Sequence, residues 1–335
     1  MSNDCSPLKG FEVDIKGNVS SKRPSGKGTL VVLVFHSIFK NETEVNAGLI
    51  DPSLGVLKDE FRLIIETLTD NKVKFLSPAD LLNGLDKNTR YALVTFDDGY
   101  YNNVFALPTL KKYDIPALFF ISTNFINTGE CFWWDVLYRE RKKQGAPISA
   151  IYDEIQKLKT NRDHIEIKAY IEQNFGRKSV RPIGNVDRPF SWSELERFSK
   201  EDLVQIGNHT SDHVALANYS SHAIHSQICD AQKDLVNNLG RTPLSISYPY
   251  GKISVSRDVV KITKKLGFRF IFTGGGKNTI PLKCYKQNFI WLTRSTINPL
   301  AGINQQYTEI TSNVSKSNLL TTIANWRSYW SFMDG

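Results

Sequence analysis

Cysteine is scarce in this sequence. Four residues, Cys5, Cys131, Cys229 and Cys284, are scattered over 335 positions without a Cys-x-x-Cys pair. That rules out a zinc ribbon or a disulfide framework, and reduced thiols are the expectation. Long apolar runs are missing too, none approaching the roughly 20 residues that cross a bilayer. The opening stretch "MSNDCSPLKGFEVDIKGNVSSKRPSGKG" lacks the basic-then-apolar layout of a signal peptide. It reads as a flexible tail over residues 1–28, with a cytoplasmic location as the default. Like charges form no blocks: the formal charge of +8, from 42 Lys+Arg against 34 Asp+Glu, is dispersed. Such an excess suits an acidic substrate, a nucleotide-sugar or peripheral contact with an anionic membrane, whereas no motif supports nucleic acid. Internal repeats and low-complexity tracts are absent.

What is present is an alternation of strands and helices. "TLVVLVF" (29–35) is a buried-type strand rich in β-branched residues. Helical spacing follows in "GVLKDEFRLIIETLTDNK" and in "SPADLLNGL", where Ser77 is the expected N-cap. Then come the strand "YALVTF", the helix "NNVFALPTLKKYD" and the strand "IPALFFIS". Residues 136–188 are charged, helical and poor in strand signals, and read as a helical insertion because the alternation then resumes. "VQIGNHT", "PLSISYPYG", "FRFIFTG" and "FIWLTRS" are further strands, separated by helices, one of them closed by Gly240. The pattern is that of an α/β parallel sheet or barrel over residues 29–300, with a C-terminal helical segment at 301–335.

Three stretches carry candidate chemistry. In "VTFDDGYYNN", Asp97 and Asp98 follow an apolar strand, at the end of a strand where β/α folds place their sites. The plainer reading has one of them capping the next helix and the other solvated. In "IGNHTSDHVAL", His209 and His213 lie four apart, a spacing that on one helical turn lets both imidazoles share a cation. Two neutral imidazoles and one carboxylate leave an open coordination position, a common plan for a hydrolytic zinc site. His222 and His225 fall on the solvated face of an amphipathic helix, and His164 at the surface. In "SISYPYGK", a strand ending in Tyr-Pro-Tyr-Gly brings backbone N–H groups and a phenol to the same rim; otherwise it is a Pro/Gly turn.

Together these stretches resemble the polysaccharide deacetylase family, the NodB-homology carbohydrate esterases. "TFDDGY" is similar to its first motif, "HTSDH" to its His-Ser/Thr-x-x-His motif and "YPYG" to its third, and the likeness runs from about Val31 to Asn298. It implies a deformed (β/α) barrel of NodB-homology type, here with a helical insertion. It also implies one divalent metal, usually zinc, held by Asp98, His209 and His213. Asp97 would be the general base, and the Tyr250 N–H would help stabilise the oxyanion.

Two positions depart from that pattern. Ser247 stands where many members have an arginine that steadies the base, and Arg294 in "WLTRST" is the candidate replacement partner for Asp97; the plainer reading is a surface arginine. No histidine follows His225, although members usually carry a late histidine as general acid. His36 in "VFHSIF" is the substitute, as in a branch of the family with an early catalytic histidine. Of Trp133 and Trp134, read as strand residues, one is expected in the core and one at the cleft. The expected activity is removal of an N-acetyl group from an amino-sugar glycan or its lipid- or nucleotide-linked precursor. An O-acetyl esterase or deformylase, a non-catalytic carbohydrate binder and a two-metal phosphoesterase are the competing readings; one bound ion supports the deacetylase, two the phosphoesterase and none the binder.

Overall fold

The structure is a computed structural model that describes residues 29–86, 88–274 and 289–296. The expected tail (1–28) and C-terminal helical segment (301–335) lie outside the described residues. The strands are β1 (Thr29–Phe35), β2 (Ser37–Phe39), β3 (Gly55–Leu57), β4 (Lys74–Phe75), β5 (Arg90–Phe96), β6 (Ala117–Ile121), β7 (Val204–Asn208), β8 (Ser245–Ser247), β9 (Phe270–Gly274) and β10 (Ile290–Thr296). Seven of them run parallel in the ring β1-β10-β9-β8-β7-β6-β5. The ring closes because β1 and β5 pair from Thr29↔Arg90 to Phe35↔Phe96. Short β4 pairs with the start of β5 at Lys74↔Tyr91 and Phe75↔Ala92, below the point where β6 joins the same edge. The result is a closed parallel barrel, irregular in strand length.

The central strands β1, β5 and β6 are buried on both faces, which is why they read as continuous apolar runs. Successive side chains alternate between two cores. Leu30, Val32, Leu93, Leu118, Phe120, Phe272 and Leu292 fill the barrel interior. Leu33, Phe35, Val94, Phe96 and Phe119 face outward. There they meet the helix α2 (Lys58–Asp70), which follows α1 (Glu42–Asn46) and presents Phe61, Ile64, Ile65 and Leu68. The "SPADLLNGL" stretch is a single 3-10 helix, Pro78–Asn83, capped through Ser77 and Asp80. Likewise the helix after β5 starts as a 3-10 segment, Tyr101–Ala106, before α3 (Leu107–Tyr113).

Between β6 and β7 lie α4 (Thr123–Thr128), α5 (Trp133–Lys143), α6 (Ile148–Asn161), α7 (His164–Phe175) and α8 (Trp192–Ser199). Helical structure therefore already begins at Trp133 in this region. Leu137, Ile151, Leu158, Ile167 and Ile171 give α5–α7 a core of their own, shared with Phe39 and Tyr100 of the barrel mouth. A buried ion pair adds an anchor. Arg139 on α5 donates from Nη1 to Asp187 Oδ2 at 2.7 Å, and Asp187 also accepts from the Ile183 and Gly184 N–H groups. Helices α9 (Ser221–Leu239) and α10 (Arg257–Lys265) cover β8 and β9. Gly240 ends α9 at φ 65°, a conformation glycine adopts without steric cost.

Cys131 is free and buried. Cys229, on α9, is disulfide-bonded, so the expectation of reduced thiols fails there; its partner lies outside the described residues. Among the described residues no helix is long and apolar enough to cross a membrane.

Candidate active site

Parallel closure brings every strand's C-terminal end to one mouth, and the chemistry-bearing residues follow those ends. His36 comes directly after β1, Asp97 and Asp98 after β5, His209 after β7 and Tyr250 after β8. The Asp97 N–H donates to the Phe35 carbonyl at 2.9 Å, and the His209 N–H to that of Ile121 at 3.0 Å, so the barrel ladder itself fixes both loops. Gly207, just before His209, is required by close approach: a Cβ there would lie 2.5 Å from the Phe120 ring beneath the site.

Asp98, His209 and His213 converge. One donor atom from each lies within 4.8 Å of the others, and all three residues are buried. Asp98 Oδ1 is 3.2 Å from His213 Nε2 and 3.5 Å from His209 Nε2, yet it accepts no hydrogen bond among the described residues. The His209 Nδ1 sits 2.8 Å from the Ser247 carbonyl. A carbonyl can only accept, so Nδ1 carries the proton and Nε2 turns its lone pair inward. A buried carboxylate oxygen without a described hydrogen-bond partner, facing the His209 lone pair, is costly unless a cation lies beside them. The donor set fits a divalent metal of the zinc class. Burial opposes ionisation of Asp98, but His213 and His209 outweigh it and hold its pKa well below the usual carboxylate range.

The histidine pair meets by a different route from the one its spacing suggests. His209 and His213 lie in the loop after β7, not on a helix. The loop doubles back because Thr210 (φ 67°) and His213 (φ 51°) both adopt left-handed backbone. Asn208 braces it by accepting the Thr210 N–H at 2.8 Å. Among the described residues, six non-glycine positions have positive φ, and four of them, Asp98, Thr210, His213 and Tyr250, lie in these three loops. Strain concentrated in this way marks a site held by its surroundings.

Asp97 is clamped from inside the barrel. Arg294 Nη1 donates to its Oδ1 at 2.6 Å and Nη2 to its Oδ2 at 2.7 Å. The same Nη2 also donates to Ser247 Oγ at 2.7 Å. Arg294 points inward because it shares the parity of Ile290 and Leu292 on β10, and it is only 4 % exposed, not a surface arginine. Burial penalises the Asp97 charge, but Arg294 and then His209 more than offset this and lower its pKa. His36 is half-buried, with its carbonyl fixed by Asn103 Nδ2 at 2.6 Å. Its ring is near enough to help hold both Asp97 and Asp98 ionised.

Sequence reasoning expected only one of the two tryptophans at the site. Trp133 and Trp134 open α5 rather than lying on a strand, so they splay apart around a helix and both reach the site. Their rings meet at 83°. Trp134 packs on His213, with ring centroids 4.7 Å apart, and its indole donates to Tyr100 Oη at 3.0 Å. Tyr100 Oη in turn donates to buried Asp135 Oδ2 at 2.6 Å. Trp133 lies beside the Tyr250 phenol, whose pKa burial pushes up. The Tyr250 ring packs edge-on to His213 at 4.6 Å, and its N–H donates to no described residue. The only legible signal for this wall was the aromatic density of "ECFWWDVL". His222 is exposed and His225 half-buried on α9, and half-buried His164 has Nδ1 3.3 Å from Tyr219 Oη.

A family model described as polysaccharide deacetylase matches residues 84–271, more than half of the chain. Among solved structures, the chain is similar to the Streptococcus pyogenes deacetylase PplD in complex with acetate, at 18% identity and TM-score 0.56, covering 84% of this chain and 98% of that one. IcaB from Ammonifex degensii gives 18% and 0.54, covering 86% and 97%. The de-N-acetylase from Aggregatibacter actinomycetemcomitans gives 16% and 0.54, covering 85% and 99%. No curated protein sequence matches the chain at a significant level.

Proposed function

Because the chain belongs to the polysaccharide deacetylase family, we propose that this carbohydrate deacetylase removes an N-acetyl group from an amino-sugar-containing glycan. Asp98, His209 and His213 would hold one divalent cation, Zn2+ by the character of the donors. The observation that carries the reading is the unpartnered Asp98 Oδ1 amid two imidazoles, beside a carboxylate clamped by Arg294. Bound there, the cation supplies Lewis acidity to water and to the acyl carbonyl.

The chain's own groups do the rest. Asp97, kept ionised by Arg294, accepts a proton from the attacking water as its oxygen bonds to the acyl carbon. The Tyr250 N–H donates to the carbonyl oxygen as that oxygen gains charge, a role that its lack of a partner among the described residues permits. His36 supplies a proton to the nitrogen, the C–N bond breaks, and acetate and the free amine leave. The Trp133–Trp134 wall excludes water and offers an aromatic edge to a sugar ring.

The test is acetate release from N-acetylglucosamine oligosaccharides with Zn2+ or Co2+ added, alongside O-acetylated and N-formylated sugars. The reading expects one metal per chain and turnover of the N-acetyl substrates. Faster turnover of the O-acetyl or N-formyl sugars would reassign the acyl class, and a rate indifferent to metal would remove the cation from the chemistry. In the cytoplasm, the location expected from the sequence, the substrate would be a lipid- or nucleotide-linked precursor. In an oxidising compartment, which the Cys229 disulfide favours, it would be a finished glycan. Fractionation with thiol titration separates the two.

A further inference from the structure

The corner between α6 and α7 leans on the catalytic loops. The His164 N–H donates to Tyr219 Oη at 3.0 Å, and Asn218 Nδ2 to the Thr160 carbonyl at 3.3 Å. Both tie the corner to the segment that follows the His209–His213 loop. One residue before Thr160, Lys159 places its ammonium 5.7 Å from the centre of the Tyr250 ring, within cation–π range. That ring in turn packs on His213.

Nothing else described satisfies this cation. Lys159 meets no carboxylate and makes no hydrogen bond from its ammonium among the described residues. Burial pulls its pKa down to about 8. Three other cations of the insertion are paired: Arg139 with Asp187, Arg141 with Glu154 and Lys168 with Glu130. A half-buried ammonium with three donors and no anion carries a desolvation cost that a ligand anion would recover. The chain's excess of positive charge favours approach of the same ligand.

We infer that Lys159 is a substrate-positioning residue that binds an anionic group, carboxylate or phosphate, on the sugar next to the acetylated one. The substrate class is therefore an acidic glycan, not a neutral homopolymer of N-acetylhexosamine. The inference rests on the deacetylase reading only for the identity of the acetylated sugar. It gives the helical insertion a function: to carry one cation to the rim of a barrel whose other site residues come from strand ends.

Binding, not turnover, is the primary test. Dissociation constants are measured by calorimetry for three disaccharides of N-acetylhexosamine: one bearing a uronic acid, its neutral methyl ester, and one bearing a phosphate. The parent should bind at least one acid about tenfold more tightly than the ester, as expected for a charge-assisted hydrogen bond. Lys159→Met, which keeps the apolar stem, should bring that ratio to about one, and Lys159→Arg should retain it. The two acids identify the anion's source. No binding of either acid by the parent, a parent ratio of one, or a ratio that persists in Lys159→Met overturns the inference. Acetate release is followed in the same samples. Acid-selective binding without deacetylation would sink the proposed function while leaving the Lys159 subsite standing.

Discussion

Replacing Arg294 by Met tests how Asp97, the proposed base, is held. In the parent, the guanidinium makes two short bonds to Asp97 and one to Ser247 Oγ, all buried. The variant keeps the stem but leaves Asp97, 4 % exposed, without its countercharge. Breaking one side of a buried pair costs about 3–5 kcal/mol, and equilibrium urea unfolding reads this at pH 7. The pH dependence is more diagnostic. The Asp97 pKa is lowered in the folded parent, so its stabilisation is present above the unfolded pKa of about 3.9 and is lost as pH falls through the folded value. Without Arg294, burial acts with less opposition and moves the folded pKa upward. The gap between variant and parent should then be widest near neutrality and shrink as pH falls. In activity, the acid limb of the pH–rate profile should move to higher pH, since a larger share of the base is protonated. Arg294→Met with parental stability at pH 7 and an unmoved acid limb would refute the clamp. A double variant, Ser247→Arg with Arg294→Ser, should restore part of both, because the cation then reaches Asp97 from β8.

Four further outcomes follow from the same geometry. His209→Ala should lose metal, by elemental analysis, together with acetate release; undiminished metal content would break the assignment. Asp97→Asn should retain metal and lose about 10²–10⁴-fold in turnover, whereas Asp98→Asn should lose the metal, and the opposite pattern would exchange their roles. His36→Ala should keep fold and metal but lose most amide hydrolysis while sparing an activated acetate ester, whose leaving group needs less protonation; equal losses on both would assign His36 a structural role. Asp187 makes no described contact with the three metal-site residues or Asp97; Asp187→Ala strands buried Arg139 and should cost about 3–5 kcal/mol in urea unfolding, with kcat per folded molecule unchanged.

The barrel was legible because parallel strands buried on both faces leave uninterrupted apolar runs such as "TLVVLVF" and "YALVTF", and because strand ends are where acids and histidines stand out. Helix type was less legible. "SPADLLNGL" and "NNVFA" carry helical spacing, but in segments this short the tighter 3-10 turn competes with the α-helix. The spacing of His209 and His213 pointed to one helical face, whereas the two rings meet through single-residue left-handed turns, which leave no periodic trace. Trp133 and Trp134 were placed by strand reasoning, and their helix start at Phe132 has no side-chain cap to announce it. Lys159 could not have been found from sequence at all. Nothing in "QKLKTN" distinguishes it from solvated lysines, and only the docking of the α6–α7 corner on Asn218 and Tyr219 brings it to the rim.

The bond between Asp97 and Arg294 joins positions 197 residues apart, and this has a kinetic consequence. A chain that has formed β1, β5 and β6 has already buried an aspartate whose countercharge arrives only with β10, the last of the ring strands in sequence. Until then the carboxylate must stay wet or take up a proton, which disfavours any dry, partly wound barrel. Loop closure over such a separation is slow, and docking of β10 then completes the ring and ionises the base in one event. Refolding should therefore show no interval in which the barrel is sealed but the base uncharged: burial of Trp291 beside Tyr248 and the recovery of acetate release should rise with a single rate constant.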